Sequence, residues 1–225
     1  MKKQLPILFL ALTLAICNTE AFTQRTEISM TTDLGVMRSF KEGQKFWSFG
    51  HTIQAQFHVS RKDAIYVWLS YYLDGDFENN LTATAKSPTT TPQDIAYTNE
   101  AEMGLKQFSV GYKRYLKGDY ANSNSNNVYG YAGLGILFGI SRNEITTSLD
   151  TSLYFLRVEV GEEPFKRLTL DLGLGIEFPV GNSMFIYGEG RAWLPTTDFP
   201  SKYLYVNRDA PIMGMINVGL RVLFD

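Results

Sequence analysis

Six charged side chains stand at alternating positions in otherwise apolar or small-residue stretches: Lys113, Asp171, Glu177, Glu189, Arg191 and Arg221. The even spacings 171–177 and 189–191 put neighbours on one face of an extended segment. Ionised groups gathered in an interior persist only when paired or hydrated. The chemistry these six point to is therefore a carboxylate–guanidinium network filling an enclosed space, rather than bond-making. Catalytic candidates are few. The two histidines, His51 and His58, lie seven residues apart, on opposite faces of a strand, and cannot share a metal ion or a proton-transfer task. A hydrolytic triad needs a histidine beside both a nucleophile and a carboxylate, and no such grouping is visible, so an enzyme is not expected. Gly133-Leu134-Gly135 and Gly173-Leu174-Gly175 do not complete a dinucleotide fingerprint, because Phe138 and Phe178 occupy the third glycine's place and no helix follows. No cofactor or metal is expected.

The elements carrying these residues alternate with period two. Ile28 to Val36, Trp47 to Val59, Ile65 to Leu73, the run through Phe108, Val110 and Tyr112 to Leu116, Val128 to Ile140, Leu168 to Phe178, Ile186 to Leu194 and Ile212 to Phe224 each present one apolar face. Eight such runs approach the 9–11 residues of a tilted membrane strand. A ninth, Leu153 to Gly161, also alternates. It is assigned to an extracellular excursion, as a hairpin above the membrane, because single-chain bacterial barrels have an even number of strands. Ten strands are the alternative. Ser60–Asp63 and Pro179–Ser183 read as periplasmic turns, and 75–102, 141–167 and 195–211 as long extracellular loops. The connection at 39–45 is short for an outer loop, and 117–127 is long for a periplasmic turn.

Residues 1–21 read as a secretory signal peptide: Lys2 and Lys3, an apolar stretch from Leu5 to Ile16, and the small-x-small site Thr19-Glu20-Ala21. Cys17 is the only cysteine, and Ile16 before it departs from a lipoprotein signal. Cleavage removes two lysines and one glutamate, moving the formal charge from −2 to −3. A mildly acidic chain without a basic cluster argues against nucleic-acid binding. Residues 22–225 form one expected domain. With no apolar stretch long enough for a spanning helix, membrane entry requires a closed barrel.

A soluble barrel would invert the alternation, with apolar side chains inside. Here the polar face is small: Ser48, Gly50 and Thr52, then Ser109 and Gly111, then Gly133, Gly135, Gly139, Gly173 and Gly175. Small residues suit a cramped interior, whereas the bulky face would overfill one. Trp47, Phe49, Phe57, Tyr112, Phe138, Phe178 and Phe224 gather near strand ends, as in interfacial girdles. The expected fold is all-β: a transmembrane antiparallel up-and-down barrel with the six charges inside.

The C-terminal run holds the pattern Asn217-x-Gly219-x-x-Val222-x-Phe224, which resembles the insertion signal of Gram-negative outer-membrane barrels. Together with the segment LGLGIEFPVGNSMFIYGEGRAWL, residues 26–225 resemble the small OmpX/OmpW-like, porin-like outer-membrane β-barrels. That resemblance implies the outer membrane as location, its lipids as surroundings, and the barrel-assembly machinery and periplasmic chaperones as partners in biogenesis. It implies no single activity. The roles left open are a surface or structural protein acting through its loops around a plugged polar lumen, a narrow channel for small solutes or hydrophobic compounds, and an accessory barrel of a larger export or uptake complex. Phe199, Tyr203 and Tyr205 in the 195–211 loop are candidates for an interaction surface with an unknown extracellular or envelope partner.

Overall fold

The computed structural model describes residues 27–195 and 211–224. Nine strands are present among them: β1 (Glu27–Ser39), β2 (Trp47–His58), β3 (Asp63–Ala85), β4 (Asp94–Lys117), β5 (Asn127–Ile145), β6 (Tyr154–Phe155), β7 (Gly161–Pro179), β8 (Met184–Pro195) and β9 (Met213–Phe224). Each long strand pairs antiparallel with its neighbours. The β1–β9 and β2–β3 ladders close the sheet into a ring of eight. Closure removes the edges at membrane depth, the condition for a sheet to span lipid.

The alternation in the sequence sets the wall's two faces. Leu34, Leu134, Leu174 and Ile216 point outward, 72, 66, 65 and 73 % exposed. In water each would forgo about 2 kcal/mol of burial. Around the whole ring this is sustainable only in lipid, so the barrel is transmembrane. The inward face carries Ser29, Thr52, Ser70, Ser109 and Thr169 beside tyrosines and charged groups, all buried. An eight-stranded interior is just wide enough for side chains to fill it.

At one end the turns are tight. Ser60 closes 59–62, its hydroxyl accepting from the amides of Lys62 and Asp63 at 3.2 and 3.1 Å. The Val180 amide bonds the Met184 carbonyl across 180–183 at 2.9 Å. The long connection at 118–126 belongs to this end. It folds back under the barrel: the Tyr120 ring stacks on His58 at 4.2 Å, and the Tyr120 amide donates to the Arg61 carbonyl. Its length is that of a cap over the opening.

The opposite end corrects the loop boundaries. Residues 75–102 are mostly strand, because β3 and β4 remain paired from Gly75↔Met103 to Thr84↔Asp94. Strand also runs to Ile145 in β5 and begins at Gly161 in β7, leaving 146–160 as the connection in place of 141–167. Outward positions turn from apolar to charged while the strands continue: in β3 Leu73 gives way to Asp76 and Glu78 across a register shift between Tyr72 and Gly75, and in β5 Ile140 gives way to Arg142 and Glu144 with the period unbroken. Polar composition marked the exit from lipid there, not the end of the strand. Leu153–Gly161 is neither a membrane strand nor a hairpin. Apart from Gly161, which opens β7, its strand residues are Tyr154 and Phe155, which pair with Ala85 and Thr84 near the tip of β3. The segment 1–21 and the aromatic residues Phe199, Tyr203 and Tyr205 lie outside the described residues.

Candidate functional site

The interior is layered along the barrel axis. Nearest the tight turns, Glu177 on β7 accepts from Lys113 Nζ at 2.7 Å, Arg221 Nη2 at 3.0 Å and the Tyr115 hydroxyl at 3.1 Å. Each cation also has a ring beneath it: Lys113 lies 3.6 Å from the Tyr129 centroid and Arg221 3.8 Å from that of Phe185. Arg221 Nη1 donates to Ser29 Oγ at 3.0 Å, and Ser29 in turn meets His58 Nε2 at 2.7 Å. Arg221 Nη2 also donates to the Tyr120 carbonyl at 2.8 Å, tying the 118–126 cap to the interior.

One layer further in, Arg191 on β8 pairs with Glu189 and lies 3.4 Å from Asp33 of β1. Its remaining donors reach Tyr131 OH, Thr52 Oγ1 and Ser70 Oγ at 3.1, 3.1 and 3.3 Å, and the guanidinium sits 4.1 Å over Trp68. Tyr129 and Tyr131 donate to Glu189 at 2.9 and 3.2 Å, and Tyr187 to Asp33 at 2.9 Å. Two charge groups thus have opposite formal balance: two cations on one carboxylate, then two carboxylates on one cation.

Five of the six anticipated residues fall into these two groups. Asp171 does not. It accepts from Gln107 Nε2 at 2.7 Å, Thr169 Oγ1 at 3.0 Å and Ser109, with no ion pair among the described residues. A carboxylate supplied with an amide and two hydroxyls can be held without a cation. Sequence reasoning missed Asp33, the buried Arg167 of β7 and the tyrosines. Their signal was their register: Tyr129 and Tyr131 share parity with Gly133 and Gly135, and Asp33 lies opposite Thr52.

Above these layers the interior turns apolar. Met37, Phe46, Tyr72, Met103, Phe165, Trp193, Met213 and Met215 belong to one buried cluster. The expectation of a polar lumen is corrected here, since its half away from the tight turns is lined largely by apolar side chains, with Arg167, Gln44 and Ser141 buried at the same end. A second cluster with Leu81, Tyr97, Tyr154 and Val158 sits higher, between the tips of β3 and β4 and the 146–160 connection. It exists because the hairpin extends beyond the ring and needs a core of its own.

That extension is a raised sheet. From Leu73 to Ala83, β3 pairs with β4 on one side and with no strand on the other among the described residues. Its outward face carries Asp76, Glu78, Glu100, Glu102 and Glu144 around Arg142, lining an open hollow of about 340 Å³. Arg142 bridges Glu102 at 2.8 Å and Glu162 at 2.7 Å, and these two partners raise its pKa. On the 146–160 connection, the hydroxyl and amide of Ser152 hold the Asp150 carboxyl below the usual carboxylate range. At the other end, burial and then Glu27 push the Tyr120 phenol up to about 12.

The C-terminal pattern divides between the faces. Asn217 and Gly219 point inward, and Phe224 outward. Asn217 accepts from Tyr72 OH at 3.3 Å and donates to Glu189 at 3.5 Å. Gly219 lies against Asp33, whose Cβ would be 2.7 Å from an added methyl group. His51 faces lipid, bonded to Thr32 Oγ1 at 2.7 Å, and is remote in orientation from the inward His58.

No protein-family model matches this sequence, and no curated protein does. Solved structures do match. Neisserial surface protein A (NspA) aligns over 88 % of this chain and 97 % of its own at 12 % identity, with a TM-score of 0.55. The outer membrane protein OprG from Pseudomonas aeruginosa aligns over 89 and 96 % at 9 % identity, with a TM-score of 0.51. At such identities the likeness is one of fold, and the fold is that of the small eight-stranded outer-membrane barrels of Gram-negative bacteria.

Proposed function

We propose that this chain is an outer-membrane surface protein that engages an extracellular or envelope partner through its raised sheet, while its interior serves as structural filling. The observation that carries this reading is the β3 edge from Asp74 to Ala83, which no strand among the described residues pairs on one side, continuous with the barrel ladder and beyond the apolar belt. An open edge offers main-chain donors and acceptors to an added strand. The filled interior supports the same reading, since two charge groups, the 118–126 cap and an apolar cluster lie in series along the axis. Biogenesis by periplasmic chaperones and the barrel-assembly machinery belongs to this proposal, supported by the strand ending at Phe224. So does the absence of an enzymatic role, supported by the separation of His51 from His58.

Site-specific photo-crosslinking from Asn80 and Thr82 in intact cells tests it. Crosslinks to one discrete protein are expected there, and none from Leu134 or Leu174 in the lipid belt. Steady single-channel openings in a planar bilayer, with no crosslinked protein, would replace it with the channel reading. Co-purification with an export or uptake complex in mild detergent would make the partner that complex.

A further inference from the structure

Above the apolar belt, the outer face of the raised sheet sets acids against acids. Asp76 of β3 lies directly opposite Glu102 of β4, Glu78 opposite Glu100, and Glu100 opposite Glu144 of β5. Like charges directly opposite one another destabilise a sheet. Arg142 is the one cation lining the same hollow, and it is taken by Glu102 and Glu162. Asp76, Glu78, Glu100 and Glu144 make no ion pair among the described residues. Two of them, Asp76 and Glu78, stand on β3 itself, at the margin where no described strand lies alongside.

That margin is a slot with two ends. β2 leaves β3 at Gly50↔Tyr72, where the Ser48 hydroxyl donates to the Leu73 carbonyl at 2.5 Å, and β6 joins it at Thr84↔Phe155. Between them, Asp74 to Ala83 spans about 33 Å, enough for one added strand. No loop or turn among the described residues makes a backbone hydrogen bond to this stretch. On its inner face Phe46 stacks on Phe77 at 5.7 Å, and Leu81 packs with Tyr154 and Val158. Between these contacts, Asn79 is 8 % exposed and its Nδ2 has no hydrogen-bond partner. A buried donor left unmet costs stability that an acceptor on an added strand would restore. The slot therefore calls for main-chain donors and acceptors, a polar acceptor turned inward at Asn79, and cations turned outward at Asp76 and Glu78. A second copy of this chain does not meet the last condition, because its own margin would bring the same two carboxylates.

We propose that the slot receives a basic strand: an extended segment of the partner protein with lysine or arginine at alternate positions, seated between β2 and β6 with its cations outward against Asp76 and Glu78. This rests on the reading that the β3 margin engages a partner, and adds that partner's chemistry and the two limits of its seat.

The test uses the full-length mature protein refolded in a zwitterionic detergent, with fluorescent ten-residue peptides followed by anisotropy. A peptide alternating lysine and threonine is expected to bind one to one. The same peptide N-methylated at every residue keeps the charge but loses its amide donors, and should bind at least about ten-fold more weakly. A peptide alternating glutamate and threonine should not bind. Asp76→Asn with Glu78→Gln should weaken the lysine peptide about ten-fold, the scale of two exposed ion pairs. Asp76→Glu with Glu78→Asp should retain it, which guards against a folding defect in the neutral pair. Asp94→Asn with Asp150→Asn, an equal change of charge away from the slot, should leave it within about two-fold at physiological salt. Equal binding of the N-methylated peptide, or equal loss in the Asp94/Asp150 pair, would reduce the effect to general attraction by an acidic surface and overturn the proposal. Absence of lysine-peptide binding, with crosslinks from Asn80 and Thr82 persisting in cells, would remove the basic strand and leave the edge reading standing. Loss of those crosslinks as well would remove both.

Discussion

Replacing Glu177 by glutamine removes one charge from a group of three and leaves the shape almost unchanged. The carboxylate is 1 % exposed and answers both Lys113 and Arg221. Without it, two cations share a buried space with only hydroxyl, amide and ring partners. Breaking a buried ion pair on one side costs about 3–5 kcal/mol. With two cations orphaned, we expect about 4 kcal/mol, near a thousand-fold in the unfolding equilibrium. Lys113→Met does the reverse. It leaves Glu177 matched one to one with Arg221 and keeps an apolar stem over the Tyr129 ring, so the cost should be about 1 kcal/mol or less. Combining Lys113→Met with Glu177→Gln should recover part of the loss. Urea unfolding in lipid vesicles, followed by the fluorescence of Trp68 and Trp193, measures all three. A Lys113→Met loss as large as that of Glu177→Gln would show that packing rather than charge balance governs the layer, and would refute the reasoning.

Arg191→Ala leaves Asp33 and Glu189 buried without their cation and should cost about 3–5 kcal/mol, yet bilayer conductance should stay closed because the Trp193 and Phe165 layer remains. A conductance gain at unchanged stability would contradict this. Gly173→Ala puts a methyl group into the Tyr131 ring and should destabilise by about 1–3 kcal/mol, whereas Gly190→Ala, with nothing within 4 Å, should stay within about 0.5 kcal/mol. Heat-modifiability on gels ranks the two, and equal shifts would count against the packing described. Tyr120→Ala removes the ring over His58 and should expose that imidazole to diethylpyrocarbonate added from the tight-turn side. Unchanged modification would mean the 118–126 cap is not held by that contact.

The ring of eight was legible because a period-two pattern needs no tertiary information: one clean apolar face per run sufficed to assign outside and inside. Strand ends were not legible. Beyond Leu73 and Ile140 the outward residues become Asp, Glu and Arg, which by composition resemble loop; inward Met103 and Tyr97 keep the alternation going in β4, while in β3 a register shift between Tyr72 and Gly75 reverses the parity before Phe77 and Leu81 resume it. The six interior charges were found by parity alone, but parity cannot give height. Asp171 and Glu177 share a strand and a face, yet three pairs of positions separate a carboxylate held by hydroxyls from one held by cations. Asp33 was overlooked because it is the one charge on the inward face of its run, and its partners Arg191 and Tyr187 both come from β8, distant in sequence.

The margin of β3 that no described strand pairs has a geometric consequence. Because it continues the ladder of the ring, any strand added to it would inherit the tilt of the barrel wall. The guest would then be presented to the cell exterior at an angle set by the shear of the barrel, and not by flexible tethers. Under the proposed function such a surface would serve as a bracket: it would dictate orientation to whatever it held, even when the contacts themselves were only main-chain and indifferent to sequence.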